Sequence, residues 1–391
     1  MSTRYPVNDA ALVELATDLA RTASVSGTEG AAVSLVTEAM TRAGFESVEI
    51  DASGNAVGAL GPHDGATIMI DGHIDSIPLH SADRWTVDPF GGEVRDGNLY
   101  GLGICDQKAS IAAAVWGVAA AVAKLSARVV VVASVCEEEM EGGALTEPIA
   151  ALRPDAFVTS EPNDTRLCIG QRGRAKVEVL VIGRACHAGH ADIGLNAAHA
   201  MAALITEVGR IDHPAHPRLG RRDLNCIDVH SEPYPSVSTI PGSVTARFDC
   251  RFLPGETPES VIALLVDAAG RAWAEWPEQP GLEVALVEAA FETWTGRGFA
   301  LPEYAAAWWT PEDSALVRAA TSALSSVGLD PTPTHYSFCT NGSYAAGLCG
   351  IPTIGFGVGV ESMAHQVDEH VSLSSLRAGA QGYAALATMA L

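Results

Sequence analysis

Positive charge is scarce in this chain. It has 24 Lys and Arg against 47 Asp and Glu, a net charge of −23 over 391 residues, and nowhere a Lys/Arg-rich run. Nucleic acids and anionic membranes are recognised through clustered basic side chains, so both are excluded as expected partners and a small-molecule substrate is the default. Long apolar runs are missing too: the longest apolar helical stretch, 111–123, has 13 residues, where a membrane span needs about 20. The opening segment lacks a charged stretch followed by an apolar one, so no secretory signal is expected. Eight cysteines form no CxxC pair, which in a chain this long reads as reduced thiols and a cytoplasmic location rather than a disulfide frame. No repeat or low-complexity segment stands out. Hydrophobic residues at 48% and charged residues at 18% exclude a disordered or fibrous chain. At about 150 residues per domain, the length predicts two domains or three.

The first part of the chain alternates helical and strand patterns. Apolar residues recur at helical spacing over 9–20 and 31–43, the second stopped by Gly44. Short apolar runs at 48–50, 66–70, 129–135 and 156–159 read as strands, and the Ala/Val-rich 107–125 as a crossover helix. Continuous apolar strands alternating with helices predict a largely parallel sheet covered on both faces, an α/β domain. After about residue 172 the pattern changes. Strands 174–182 and 243–252 alternate polar and apolar, helices are expected at 196–208 and 258–273, and a further strand at 282–287. That is a compact α+β unit. From residue 310 the α/β signature returns, with helix 311–327, strand 352–358 and helix 372–389. The expected organisation is therefore one domain formed by 1–172 and 291–391, with a second inserted at 173–290.

Acids and histidines fall where those strands end. Strand 66–70 runs into Asp71-Gly72-His73-Ile74-Asp75, strand 129–135 into Cys136-Glu137-Glu138-Glu139, and strand 156–159 into Ser160-Glu161-Pro162. Strand 352–358 leads through a Gly-rich loop to His365, and Asp106 stands just before the crossover helix. Ligands of open α/β sheets bind outside the carboxyl ends of the strands, so His73, Asp106, Glu138, Glu161 and His365 are brought to one rim. Two imidazoles and three carboxylates without a thiolate suit zinc or a related divalent ion. Five ligands exceed the need of one catalytic zinc but serve two ions if one carboxylate bridges them. His73 and Asp75 lie on the same side of an extended segment, where Asp75 can accept the second ring N–H of His73. Glu137 and Glu138 point opposite ways in extended geometry, so one can ligate while the other faces the substrate as general base.

Gly72-His73-Ile74-Asp75-Ser76-Ile77-Pro78, Gly101-Leu102-Gly103-Ile104-Cys105-Asp106-Gln107-Lys108, Glu137-Glu138, Ser160-Glu161-Pro162 and Ala364-His365 resemble, in order, the five metal-site motifs of the co-catalytic zinc amidohydrolases. That family includes acetylornithine deacetylase, succinyl-diaminopimelate desuccinylase, aminoacylase and carboxypeptidase G. The resemblance implies a catalytic α/β domain holding two divalent ions, zinc first with Co2+ or Mn2+ as substitutes, and an inserted lid domain that forms a homodimer. It implies that His73, Asp106 as the bridge, Glu138, Glu161 and His365 are the ligands, that Asp75 supports His73, and that Glu137 is the base. It also implies an oxyanion donor in His187, within Ala185-Cys186-His187-Ala188-Gly189, and a clamp for a substrate carboxylate in Arg251. Ser238 and the Cys339-Thr340-Asn341-Gly342-Ser343 loop stand at substrate-binding positions of the family, with residue types that differ from its usual ones. Cys136 stands where many members have Asp.

The reaction this implies is hydrolysis of an amide in an N-acyl amino acid or similar small molecule: Glu137 takes a proton from the attacking water and returns it to the departing amine. A di- or exopeptidase on the same site is the alternative within enzymes. An inactive binding or structural dimer is the alternative outside them, opposed by the intact ligand set and Glu137. Thiol chemistry at Cys136 would need a paired base, and Cys105 and Cys136 read better as small buried filler.

Overall fold

The computed structural model describes residues 3–391. The chain divides into two units: 1–171 with 290–300 and 308–391, and 172–289 with 301–307. The short return of 301–307 to the second unit arises because Tyr304–Ala305 pairs with strand Gly173–Ile182.

The first unit is built on a nine-stranded sheet. Its centre is parallel: Arg128–Ser134, Thr67–His73, Ala156–Thr159 and Thr353–Gly355 lie side by side in that order. Antiparallel strands flank them, Ser47–Ile50 and Ala56–Leu60 on one side and Cys168–Gln171 with Trp308–Trp309 on the other. The central strands are almost wholly buried, which explains their unbroken Val, Ile and Met runs. Strand Ala56–Leu60 has no counterpart in the sequence reading. All five of its residues are buried, so it shows no alternation, and a glycine interrupts the run. Helices Asp9–Arg21, Gly30–Arg42, Ala109–Ala121, Ala315–Ser326 and Leu373–Ala387 complete the layers. Ala109–Ala121 carries almost only buried residues, and Gly117 lets it approach Leu373–Ala387 closely: a Cβ there would stand 2.4 Å from the Ala380 carbonyl oxygen.

The second unit is a five-stranded antiparallel sheet, with Asp223–Glu232, Ser243–Phe252, Gly173–Ile182 and Gly281–Leu286 in that order and Tyr304–Ala305 beside the third. Alternating residues Val177, Val179, Val181, Val244, Ala246 and Phe248 pack against Ala200 and Leu204 of helix Ala197–Val208 and Val261 and Leu265 of helix Pro258–Ala272. Among the described residues no helix is long and apolar enough to cross a membrane.

Candidate active site

Register brings the chemistry together. His73 is the last residue of its strand and lies opposite Ser134, so the neighbouring strand delivers Glu137 and Glu138 three and four residues further on. Asp71 lies opposite Thr159, which sets Glu161 two residues beyond. Asp106 arrives on a wide turn, Ile104–Lys108, where Asp106 and Gln107 leave helical geometry, so the helix begins at Ala109 rather than at 107. His365 sits in left-handed backbone, φ 58°, on the loop after Thr353–Gly355.

The side chains converge. His73 Nε2 stands 3.1 Å from Asp106 Oδ1, and His365 Nε2 stands 3.4 Å from Asp106 Oδ2 and 3.0 Å from Glu138 Oε1. His73, Asp106 and Glu138 offer ligand atoms within 4.8 Å of one another, and so do His73, Glu137 and Glu161. Glu137 Oε2 is 3.9 Å from His73 Nε2, while its Oε1 is buried without a hydrogen-bond partner.

The electrostatics are those of crowded acids. Burial pushes the Glu137 carboxyl well above the usual range, with Glu161, Glu141 and Glu138 adding to the shift and His73 opposing it. Burial likewise raises Glu161 and Glu138. Burial would also raise Asp106, but the hydrogen bond and charge of His73 outweigh it and bring Asp106 down. For His73, burial acts downward and is overcome by Asp106 and Asp75, which leave the imidazole well above its ordinary value. The partners of these buried acids are the two imidazoles, and an acid-rich cup of this kind is the donor set of divalent cations. The residues present therefore fit such ions.

Asp75 does more than the sequence indicated. Its carboxylate lies 3.5 Å from His73 Nδ1, which is closer to the Asp75 carbonyl oxygen at 3.1 Å. The same carboxylate accepts the backbone N–H groups of Glu137 and Glu138, each at 3.1 Å, and the Ser26 hydroxyl at 2.7 Å. It thus sets the Glu137-Glu138 turn as well as the imidazole. Glu29, which the sequence reading passed over, accepts the N–H and thiol of Cys136 at 3.0 and 3.3 Å, and Cys136 itself has φ 57°. Burial raises the Cys136 thiol, so the group is a filler and donor here rather than a thiolate. Glu369, also passed over, lies beneath the Asp106 turn.

Asn341 and Gly342 differ from their expected role as substrate contacts. Asn341 is 2% exposed, and its amide is spent inside the protein: Nδ2 donates to Asp71 Oδ2 at 2.9 Å and to Ser134 Oγ at 3.1 Å, while Oδ1 accepts the Gly142 N–H at 2.5 Å. It is a strut for the loop that carries the two glutamates. Gly342 packs under Trp308, where a Cβ would meet the indole nitrogen at 2.8 Å.

His187, Ser238 and Arg251 belong to the second unit. His187 and Ser238 are exposed and adjacent, joined by the pairing of Cys186–His187 with Thr239–Ile240 and by the Ala188 N–H donating to the Ser238 carbonyl at 2.8 Å. His187 Nδ1 accepts the Gly189 N–H at 3.0 Å, which puts the ring proton on Nε2 in the neutral form. Arg251 is half-buried on its strand and forks onto Asp249, at 2.8 and 3.4 Å.

Over 380 residues the chain is 29% identical to the uncharacterized protein YgeY of Escherichia coli (strain K12), an alignment covering 94% of this chain and 92% of that one. Over 384 residues it is 28% identical to a succinyl-diaminopimelate desuccinylase of Cereibacter sphaeroides (strain ATCC 17029 / ATH 2.4.9), with 93% and 94% covered. Its fold matches that of Bacillus subtilis YXEP protein, a dinuclear metal binding peptidase from the M20 family, with a TM-score of 0.73 at 15% identity and 97% of each chain covered. The family model described as Peptidase family M20/M25/M40 matches residues 69–389, and the chain belongs to that family.

Proposed function

We propose that the protein hydrolyses the amide bond of an N-acyl amino acid or similar small amide, using two divalent metal ions, Zn2+ first. One observation carries the reading: the two oxygens of Asp106 face different imidazoles, Oδ1 toward His73 and Oδ2 toward His365. A carboxylate so disposed suits a bridge. His73, Glu161 and Asp106 would hold one ion, and His365, Glu138 and Asp106 the other. When bound, the ions acidify a water and polarise the scissile carbonyl.

The remaining work falls to the chain. Glu137, whose Oε1 has no partner in the protein and whose burial strengthens its hold on a proton, takes in its ionised form a proton from the attacking water and returns it to the amine nitrogen as the C–N bond breaks. Carboxylate and free amine result. The protonated Nε2 of His187 supplies a donor for the developing oxyanion, a contribution typically of about 3–4 kcal/mol per donor. Arg251 is the candidate for the substrate carboxylate, which would replace Asp249 on its fork. A homodimer through the second unit is supported by strand Asp223–Glu232, which ends its sheet and exposes Ile227 and Val229. A cytoplasmic location agrees with eight free cysteines.

The test is an assay of Zn2+- and Co2+-loaded protein on N-acyl amino acids and dipeptides, with metal content measured beside it. Turnover of the acyl amino acids, abolished by chelator and restored by metal, is expected. Turnover of dipeptides alone would turn the reading toward a peptidase, the activity named for YXEP. Activity that survives complete removal of metal would end it.

A further inference from the structure

The loop that presents Asp106 has no regular structure of its own, yet Asp106 must aim two oxygens in two directions. Gly103 has φ 76°, a left-handed conformation that turns the chain on itself. The turn leaves the N–H groups of Gly103, Cys105 and Asp106 pointing inward at one side chain. Glu369 Oε1 accepts from Cys105 at 2.7 Å and from Asp106 at 3.0 Å, and Glu369 Oε2 accepts from Gly103 at 2.9 Å. Glu369 is 1% exposed. Its own backbone is fixed to the start of the same loop: its carbonyl accepts the Gly101 N–H at 3.0 Å, and strand His370–Ser372 pairs with Asn98–Tyr100 just before it. Loop and carboxylate are therefore held at both ends, with the Asp106 N–H itself among the three donors.

We propose that Glu369 is the positioning residue of the metal centre: by gathering the amides of Gly103, Cys105 and Asp106 it fixes the bridging carboxylate, so that its loss weakens ion binding and not stability alone. The inference rests on the two-ion reading above. A carboxylate is the side chain this cradle needs, because three N–H donors converge on two acceptor oxygens. Glutamine has one acceptor oxygen, and its amide N–H groups would face a backbone N–H. Aspartate keeps the charge but is one methylene too short to meet all three. Groups that orient metal ligands from outside typically contribute about 10–100-fold in metal affinity.

The experiment is a Co2+ titration of metal-stripped full-length protein, followed by visible absorption and by competition with a chromophoric chelator, for wild type, Glu369→Gln and Glu369→Asp. Far-UV circular dichroism and thermal melting of the metal-free proteins accompany it. Wild type taking up two ions, with both variants folded and binding about tenfold or more weaker, is the expected result. Variants that melt earlier but take up two ions at wild-type affinity would overturn the proposal and leave Glu369 a purely structural residue. If Gln does not fold, the Asp variant decides on the same criterion. Wild-type protein that binds no Co2+ would overturn the two-ion reading itself, a result distinguishable from the failure of Glu369 alone.

Discussion

The two imidazoles at the carboxylate cup stand in opposite surroundings. His73 ends a central strand with 1% of its side chain exposed, and has Asp106 against one ring nitrogen and Asp75 against the other. His365 rides on a loop in left-handed backbone, 44% exposed, with its carbonyl oxygen 3.1 Å from the ring of the exposed His80. One half of the site is set by the sheet and the other by a loop. The difference teaches that preorganisation is unequal: a proposed ligand on a buried strand end has already lost its freedom during folding, whereas one on a loop would have most of its ordering still to lose when an ion binds.

Glu137 belongs to neither half, and removing its proton-transfer capacity should give the largest effect. Glu137→Gln keeps the volume and both neighbouring glutamates. A fall in kcat of about 10²–10⁴-fold is expected, with both ions still bound. Metal analysis together with kcat checks this, and a variant within tenfold of wild type would remove Glu137 from the proton transfer. Next comes the comparison itself. His73→Ala leaves Asp75 and Asp106 buried without their imidazole, a loss of about 3–5 kcal/mol in the metal-free protein. His365→Ala removes a half-exposed pairing, within about 1 kcal/mol. Both should abolish binding of one ion. Equal melting losses for the two would erase the distinction between sheet-built and loop-built halves.

The part of this site that could be read from the sequence is the set of His, Asp and Glu that follow apolar strands or precede the crossover helix, Asp106 and His365 on their loops among them. His73, Glu138 and Glu161 each follow an apolar run by a few residues, and register in a parallel sheet does the rest. Residues that act by accepting backbone amides left no such mark. Glu369 reaches Asp106 across 263 positions, Glu29 reaches Cys136 across 107, and Asn341 reaches Gly142 across 199. Nothing local to an acid or amide announces that its partner is a distant N–H. The signal for Asn341 was that its loop, Cys339-Thr340-Asn341-Gly342-Ser343, stands at a substrate-binding position of the family it resembles, and that signal pointed to substrate when the amide turns inward. Strand Asp223–Glu232 escaped for another reason: it lies at a sheet edge with a bulge between Cys226 and Asp228, so its apolar residues do not alternate cleanly.

The buried acids also predict an unusual pH response in metal-free protein. Burial raises Asp71 to about 6 and Glu369 to about 7, and Glu137, Glu138 and Glu161 also lie above their ordinary values. His73 and His365 are raised by their acidic partners. In every case the folded state holds its proton to higher pH than the unfolded one, so stability is present at low pH and is lost as pH rises through the folded values. Asp75 and Asp106 act oppositely, but their stabilisation is already complete above the ordinary Asp value of 3.8. Metal-free protein should therefore melt at a lower temperature at pH 7.5 than at pH 5.5. Metal-loaded protein should do the reverse, because ions bind deprotonated ligands and their affinity grows with pH. Melting curves at the two pH values, with and without chelator, measure it; the same slope in both states would mean that the acids are not the ligands.

The smallest effect expected is at Glu29, and it separates the base from the ions. Glu29 Oε1 accepts the N–H groups of Gly27 and Cys136 and the Cys136 thiol, while Oε2 is buried without a partner. Glu29→Gln can keep Oε1 in place but puts an amide N–H₂ where Oε2 lies, an unsatisfied donor costing about 1–3 kcal/mol unless the side chain shifts. A shift moves Cys136, which must hold φ 57° to turn the chain into Glu137. Both glutamates have their N–H tied to Asp75, but Glu138 is also held through its side chain by His365, so it should move less. The expected outcome is a severalfold drop in kcat with KM and the two-ion stoichiometry unchanged. Loss of an ion with kcat per bound pair preserved would show instead that Glu29 acts on the His365 half, and the division between a sheet-built and a loop-built half would have to include the Cys136 turn.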